Sequence, residues 1–172
     1  MMDTLAYFKA EIDTVGRHWS DLAGGIDESL ATRRPVPDMN HILWLTGHMT
    51  WAEDYLIGEI PVGRAVRRKE WDALFDHSSE KLEASAYPPW KEVWSEWQRV
   101  HASVMEHLMK QQYADMAKPS AGGTQWFPTA AHSIGHQVTH GHYHLGQLVY
   151  LHKILLPVNV IESNRSSLNP KV

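Results

Sequence analysis

The run AAHSIGHQVTHGHYHLGQLVYLHKILL, residues 130–156, is the part of the chain that decides the fold most directly. Its apolar residues share one arc of a helical wheel, which predicts a long amphipathic helix. Thr129 can cap the start of this helix, and Pro157 ends it because proline cannot continue a helix. No segment of the sequence alternates apolar and polar residues at period two, so we expect an all-α protein.

Further segments have the same helical spacing and predict three more long helices, at about residues 3–23, 41–57 and 90–112. Gly58 and Pro61 are expected to close the second of them. The connection that follows is about thirty residues long, too long for a minimal helical hairpin, and a short helix is expected in it at 70–75. We therefore predict an all-α four-helix bundle with a long crossover connection and a short extra helix.

The size and composition of the chain are those of one globular domain. It has 172 residues, of which 43% are hydrophobic and 21% charged, enough to bury one core. We predict a single domain over residues 1–157 and a polar C-terminal tail over residues 158–172. The start lacks the pattern of a signal peptide, and no run reaches the roughly 18 apolar residues of a membrane span. These features predict a cytoplasmic protein without a membrane partner.

The charge pattern argues against a nucleic-acid partner. The formal net charge is −4, and the sequence has one basic cluster, formed by Arg64, Arg67, Arg68 and Lys69. Proteins that bind DNA or RNA normally present a dominant basic face. We interpret the basic cluster as a solvated loop and expect a small-molecule substrate instead.

The chain contains no cysteine and eight tryptophans. Without cysteine there is no disulfide and no thiolate ligand, so any metal must be held by imidazole, carboxylate, carbonyl or water. Any thiol chemistry must use a thiol that the substrate brings. The tryptophans are expected to pack between helices, and apolar surface left over from that packing predicts a homodimer interface.

Histidine recurs at every fourth residue in the last helix, at positions 132, 136, 140 and 144. Residues four apart lie on one helix face, about 5–6 Å from each other at Cβ, so two imidazoles can bind one ion. His140 and His144 lie beside the apolar stripe, whereas His142 falls on the opposite side and His132 is expected at the surface. The pair His136 and His140 has the same spacing and remains an alternative.

A third ligand must come from another helix, and His48 is the best candidate because bulky apolar residues surround it in the second helix. A single histidine on such a face is more often a hydrogen-bonded core residue. Together with a pair of histidines on another helix, it favours a metal site. Three neutral imidazoles suit zinc, nickel or similar divalent ions, and they leave positions open for water and substrate, as catalytic sites do. The remaining histidines, His41 and His101 among them, have no partner at ligand spacing and are expected at the surface or as helix caps.

Four other polar residues have possible roles near this site. Gln147 and Tyr143 lie close to His144 in sequence and are candidates to orient a ligand or a water. Glu53 and Asp54 follow His48 and could supply acid–base chemistry, although helix phase points them away from it. The sequence lacks the His-Glu-x-x-His motif of zinc proteases and its built-in base, so no catalytic residue is assigned.

Two motifs resemble those of the DinB/YfiT-like superfamily: GHMTWAEDYL at residues 47–56 and HGHYHLGQL at residues 140–148. The order of the helices fits as well, so the resemblance spans roughly residues 3–156. It implies a four-helix bundle of the DinB type, often a homodimer, with a divalent metal on three histidines. Transferred by motif, these ligands are His48, His140 and His144, which favours His144 over His136.

The resemblance also implies a range of activities. Similar proteins include transferases that use low-molecular-weight thiols such as bacillithiol or mycothiol, a thiol-dependent isomerase, and metal-dependent hydrolases. A divalent ion lowers the pKa of a thiol or a water and so generates a nucleophile at neutral pH. We expect a metal-dependent enzyme, with a thiol-dependent transferase ranked ahead of a hydrolase. A non-catalytic bundle that binds metal or another ligand is the third possibility.

Overall fold

The computed structural model describes residues 3–156, and within that range it forms helices and no β-strand. The predicted tail at 158–172 lies outside the described residues. The helices, in chain order, are α1 (Thr4–Ala23), α2 (Glu28–Ala31), α3 (Ile42–Glu53), α4 (Ile60–Val62), α5 (Asp72–Phe75), α6 (Trp90–Lys110) and α7 (Ala130–Leu155). A π-helical segment (Asp54–Glu59) joins α3 to α4, and short 3-10 turns occupy Lys69–Trp71, Ala84–Ala86 and Tyr113–Ala117. The predicted all-α bundle is confirmed.

Helices α1 and α6 run antiparallel. Gly24 at the end of α1 lies against the ring of Trp94 near the start of α6, and Gly16 in the middle of α1 lies against the ring of His101 further along α6. Helix α1 packs also against α7, and α3 packs against both α6 and α7. The long helices therefore form a closed four-helix arrangement.

Helices α3 and α6 run parallel, which explains the long connection between them. The indole of Trp19 donates a hydrogen bond to Thr46 in α3. Glu53, the last residue of α3, pairs with His101, which lies against Gly16. Helix α3 is thus antiparallel to α1, as α6 is. Because two parallel neighbours cannot be joined by a tight turn, residues 63–89 cross the bundle and carry α5.

The second long helix continues beyond its predicted end. Gly58 and Pro61 were expected to close it, and that prediction is wrong: a π-helical turn passes Gly58, and Pro61 lies in the first turn of α4, where a missing N–H is tolerated. Gly58 is required by close packing, since a Cβ there would lie 2.5 Å from the carbonyl oxygen of Arg64. The helix ends at Gly63, whose φ of 69° is left-handed.

Tryptophan packing accounts for much of the core, as the sequence predicted. Trp19, Trp90 and Trp97 are buried, and Trp44, Trp51, Trp71 and Trp94 pack against the same cluster. A second cluster of aliphatic residues from α1, α6 and α7 fills the other end of the bundle. The eighth tryptophan, Trp126, lies exposed in the loop before α7.

Gly47 lets the crossover approach α3. A Cβ at this position would lie 2.3 Å from the ring of Phe75, the last residue of α5, which is itself buried. We predict that Gly47→Ala destabilises the protein by about 1–3 kcal/mol because the ring has no free space. Urea unfolding measures this, and Gly146→Ala is the matched control. No atom lies within 4 Å of the corresponding Cβ at Gly146, so that change should be neutral or stabilising.

His41 caps α3 rather than lying at the surface. Its Nδ1 accepts a hydrogen bond from the backbone N–H of Trp44 at 2.9 Å, and the residue is fully buried. Burial, helped by the charge of Arg34, lowers the pKa of His41 to about 4. Its neutral form is therefore part of the folded structure.

This cap makes stability depend on pH. The folded pKa of His41 lies below the usual 6.5, so the unfolded chain binds the extra proton, and stability present above pH 6.5 is lost as the pH falls towards 4. The loss is about 1.4 kcal/mol per pH unit for this group. His41→Asn, which keeps a capping oxygen, should reduce the slope of unfolding free energy against pH by that amount. An unchanged slope would contradict the prediction.

Candidate metal centre

His48 is held within a ladder of stacked rings on α3. The ring of Trp44 lies 4.7 Å from its centroid at an interplanar angle of 7°. On the other side, Trp51 lies at 5.8 Å and 20°. These residues are four and three positions from His48, so their side chains meet along one helix face. The imidazole plane is thereby fixed before any ligand binds.

The crossover fixes which nitrogen of His48 carries the proton. Its Nδ1 lies 2.7 Å from the carbonyl oxygen of Phe75. A carbonyl oxygen only accepts, so Nδ1 must donate, and Nε2 keeps its lone pair. The close approach permitted by Gly47 thus aims Nε2 of His48 at α7.

Gln147 does the same for His144. Its Oε1 lies 2.8 Å from Nδ1 of His144, which makes Nδ1 the donor and leaves the lone pair on Nε2. The predicted role of Gln147 in orienting a neighbouring ring agrees with this contact. Tyr143 also touches His144, with ring centroids 4.9 Å apart, but its side chain is mostly exposed.

Three Nε2 atoms converge between α3 and α7. Nε2 of His140 lies 3.2 Å from that of His48 and 3.1 Å from that of His144, and donor atoms of these residues all lie within 4.8 Å of one another. Together, His48, His140 and His144 form the histidine triad. His136, the alternative ligand, lies one turn away and is not part of this group.

The hydrogen bonding of the triad is incomplete without a cation. The lone pairs on Nε2 of His48 and on Nε2 of His144 both face Nε2 of His140. A single proton on Nε2 of His140 can be donated in a hydrogen bond to only one of them at a time. Nδ1 of His140 is buried without a hydrogen-bond partner among the described residues in either tautomer, so the ring makes its polar contacts through Nε2. A divalent ion between the Nε2 atoms would satisfy every lone pair there, with three imidazole donors of the kind that Zn²⁺ and Ni²⁺ accept. The residues present therefore fit a metal ion.

Comparison with known proteins places the chain in a family. Its sequence matches the profile of the DinB superfamily over residues 11–148. The chain belongs to the DinB superfamily. This match includes α3 and all three members of the triad, and it confirms the family predicted from the two sequence motifs.

The fold of this DinB protein is similar to that of a solved structure. The crystal structure of a conserved protein from Enterococcus faecalis matches with a TM-score of 0.67 and 12% sequence identity. The match covers 90% of this chain and 98% of that one, and at this identity it shows the fold alone. None of the curated proteins matches the chain. Within residues 3–156, no helix is long and apolar enough to cross a membrane.

The electrostatics of the triad keep it neutral. Burial lowers the pKa of His48 to about 4, and burial together with the nearby rings lowers that of His140 to about 3. Burial also lowers the pKa of His144, although the contact with Gln147 opposes the shift. Neutral imidazole is the form that binds metals, so at pH 7 no proton has to be displaced from a charged ring.

Glu53 and Asp54 face away from the triad, as helix phase predicted. Glu53 is buried and accepts a hydrogen bond from Nδ1 of His101, 3.0 Å away. Burial opposes a charge on His101, but the charge of Glu53 and its hydrogen bond to the ring, helped by the charge of Asp13, together outweigh burial and raise the pKa of His101. His101, which was expected at the surface or as a helix cap, is instead largely buried beside Glu53, with 17% of its side chain exposed. Asp54 is fully buried beside Arg67, so both carboxylates are occupied elsewhere in the bundle.

The basic cluster is held by carboxylates rather than by solvent alone. Arg67, buried in the structure, binds Asp54 at 3.0 Å, Asp72 at 2.8 Å and Glu59 at 2.7 Å, so the interpretation as a solvated loop is wrong for this residue. The partners of the others are Ser103 for Arg64, Glu92 and Glu96 for Arg68, and Glu59 for Lys69. Carboxylates therefore pair with Arg67, Arg68 and Lys69, whereas the contact with Ser103 leaves the charge of Arg64 in place.

A cavity of about 380 Å³ opens beside His140. Its lining includes Trp51, Tyr55, Trp126, Phe127, His136 and His140. The sequence motifs did not reveal Trp126 or Phe127, because a loop brings them to the site. The contact of the Phe75 carbonyl with His48 could not be predicted from the sequence either, since every residue has a backbone carbonyl. The spacing of Trp44 and Trp51, four and three positions from His48, is the sequence feature that could have predicted the stacked rings.

Proposed function

We propose that the histidine triad holds one divalent metal ion, zinc or nickel, and that the protein is a metal-dependent enzyme. The observation that carries the proposal is the convergence of three Nε2 atoms whose hydrogen-bond partners within the described residues are one another. Three protein ligands are typical of catalytic sites because positions remain for water and substrate. The cavity beside His140 provides the space for a substrate.

The chemistry follows from the ion and from the residues that surround it. When bound, a divalent ion supplies Lewis acidity that lowers the pKa of a thiol or a water, so a nucleophile is available at neutral pH. Phe75 and Gln147 hold the protons of two triad rings at Nδ1 and keep Nε2 free. No side chain of the described residues is assigned as a general base.

Thiol-dependent transfer is ranked ahead of hydrolysis. The support is the resemblance of both motifs to those of the superfamily, whose members include transferases that use low-molecular-weight thiols. The chain has no cysteine, so a low-molecular-weight thiol must act as cosubstrate. The thiolate would displace the leaving group of a small electrophile, and the proton of the thiol passes to solvent. A hydrolase or a non-catalytic bundle would use the same triad without that thiol.

Turnover of matched probes tests this ranking. We expect the metal-loaded protein to conjugate 1-chloro-2,4-dinitrobenzene with added cysteine, with release of chloride. EDTA should abolish the reaction. Hydrolysis of 4-nitrophenyl acetate without thiol would instead identify a hydrolase. Metal bound at about one per chain with neither activity, across a panel of electrophiles, would favour the non-catalytic bundle.

We propose further that the protein forms a homodimer. Tyr143, Tyr150 and Ile154 follow one another on α7 at steps of seven and four, and each is more than half exposed. Such a stripe of large side chains is typical of an interface. Sedimentation of the protein at micromolar concentration should therefore give a dimer, and a monomer would contradict the proposal.

A further inference from the structure

The cavity beside His140 has one wall built from the edges of stacked rings. Both faces of Trp51 are covered, by His48 at 5.8 Å and by Tyr55 at 4.8 Å, with interplanar angles of 20° and 16°. Trp51 and Tyr55 both line the cavity. Trp51 lies inside the stack, and Arg67 lies over the ring of Tyr55 at its end, so both rings leave their edges rather than their faces to form this wall.

Aromatic edges select for a particular kind of contact. The rim of an aromatic ring carries partial positive charge and its face partial negative charge, so edges pack best against the face of another ring. A cation is attracted to faces rather than edges. The edge wall formed by Trp51 and Tyr55 therefore suits a flat aromatic group and offers little to an ammonium ion.

The cavity also lacks a partner for a formal charge. None of the described residues that line it is Asp, Glu, Lys or Arg. The nearest cation on the edge-wall side, Arg67, lies 6.0 Å from the ring centroid of Tyr55 and is already paired with three carboxylates. Without a metal on the triad, a charged ligand would lose hydration there and find no carboxylate, ammonium or guanidinium group in return, whereas an uncharged ligand would not incur that cost.

Its other boundaries complete an aromatic slot. Phe127 lies 5.3 Å from His136, and His136 lies 5.9 Å from His140, measured between ring centroids. Trp126 stands at the opening with 74% of its surface exposed. The volume of about 380 Å³ is within the range for small-molecule sites. A larger cavity of about 520 Å³ beside Gln147 includes no member of the triad, so the aromatic slot is the one that meets the candidate metal centre.

We infer that the aromatic slot binds an uncharged aromatic small molecule, with its ring face against the edges of Trp51 and Tyr55, and that this molecule is the substrate class of the site. The assignment as substrate rests on the proposed function. Binding itself does not require the metal, because the edges, the apolar walls and the lack of charge are properties of the chain. His136 and His77 line the same cavity. Either imidazole can donate a hydrogen bond to, or accept one from, a polar substituent on the bound ring.

Three probes with one ring system test the inference: 2-naphthamide, 2-naphthoate and 2-naphthylmethylammonium. Equilibrium dialysis against the protein as purified and after EDTA treatment gives the dissociation constants. In EDTA-treated protein, where a carboxylate cannot coordinate metal, 2-naphthamide should bind at least tenfold more tightly than either charged probe. Equal binding, tighter binding of a charged probe, or no binding of 2-naphthamide would overturn the inference.

Matched variants locate the binding. Trp126→Ala removes an exposed ring from the opening and should weaken 2-naphthamide at least fivefold, whereas Tyr7→Ala removes an exposed ring from α1 outside the slot and should leave binding unchanged. Equal effects of the two variants would also overturn the inference. Metal analysis of the same samples distinguishes failure of the proposed function from failure of this inference. Purified protein without metal would overturn the proposed function, whereas the dialysis would still test whether the aromatic slot binds 2-naphthamide.

Discussion

Replacement of His140 by alanine should remove the metal, while replacement of His136 should leave it in place. His140 lies at the centre of the triad, with its Nε2 within 3.2 Å of both other Nε2 atoms. Its loss therefore removes the metal ligand that lies between His48 and His144. We expect close to one divalent ion per chain in the wild type and a loss of affinity of more than about 100-fold in His140→Ala, since even outer partners of a ligand contribute 10–100-fold. Elemental analysis after dialysis, and competition with a chromogenic chelator, measure both quantities.

His136→Ala is the matched control because it changes the same residue type on the same helix, one turn away. It should retain the metal, since His136 lines the aromatic slot and is not part of the triad. Equal metal content in the wild type and His140→Ala would contradict the site. Loss of metal in His136→Ala with retention in His144→Ala would favour the alternative pair of ligands on α7.

Replacement of Arg67 by methionine should destabilise the protein by about 3–5 kcal/mol, because it leaves a buried charge without its partner. Asp54 is fully buried and, besides Arg67, its carboxylate accepts hydrogen bonds from the backbone N–H groups of Val66 and Arg67. Asp72 and Glu59 lose the same guanidinium. Urea unfolding of EDTA-treated protein, followed by circular dichroism, measures the change.

Arg17→Met provides the comparison for an exposed ion pair. Arg17 binds Asp13 at 2.9 Å, but both side chains are more than half exposed, so the cost should stay below about 1 kcal/mol. The double variant Asp54→Asn with Arg67→Met should recover part of the lost stability, because the unpaired charge is gone. Similar stability of the two single variants would show that the buried network contributes no more than a surface pair.

The helices were predictable because their burial follows a simple period. The apolar stripe of α7 and the length of the connection after α3 both led to a bundle with a crossover, and the parallel directions of α3 and α6 require that crossover. The end of the second helix was not predictable in the same way. Gly58 and Pro61 normally stop a helix, but here a π-helical turn and the packing of Arg64 against Gly58 let it continue.

The triad was predictable to the extent that helix phase and motif could identify it. A step of four residues placed His140 and His144 on one helix face, but His136 and His140 have the same spacing. Only the resemblance to the superfamily favoured His144 over His136 as the second ligand on this helix. The tautomer of His48 depends on the backbone carbonyl of Phe75, and that of His144 depends on the side-chain amide of Gln147. Neither contact follows from the spacing of the histidines in the sequence. Buried pairs such as Glu53 and His101 likewise depend on how α3 meets α6, which sequence spacing alone does not give.

The order in which the chain is made has a consequence for the triad. His48 is synthesised early, its orienting carbonyl at Phe75 follows with the crossover, and the two remaining donors arrive only with α7, the last described helix. A ribosome-bound chain that ends before His140 offers a single imidazole of the triad. Any metal ion that the triad holds would therefore bind only after α7 has been synthesised and has packed against α3.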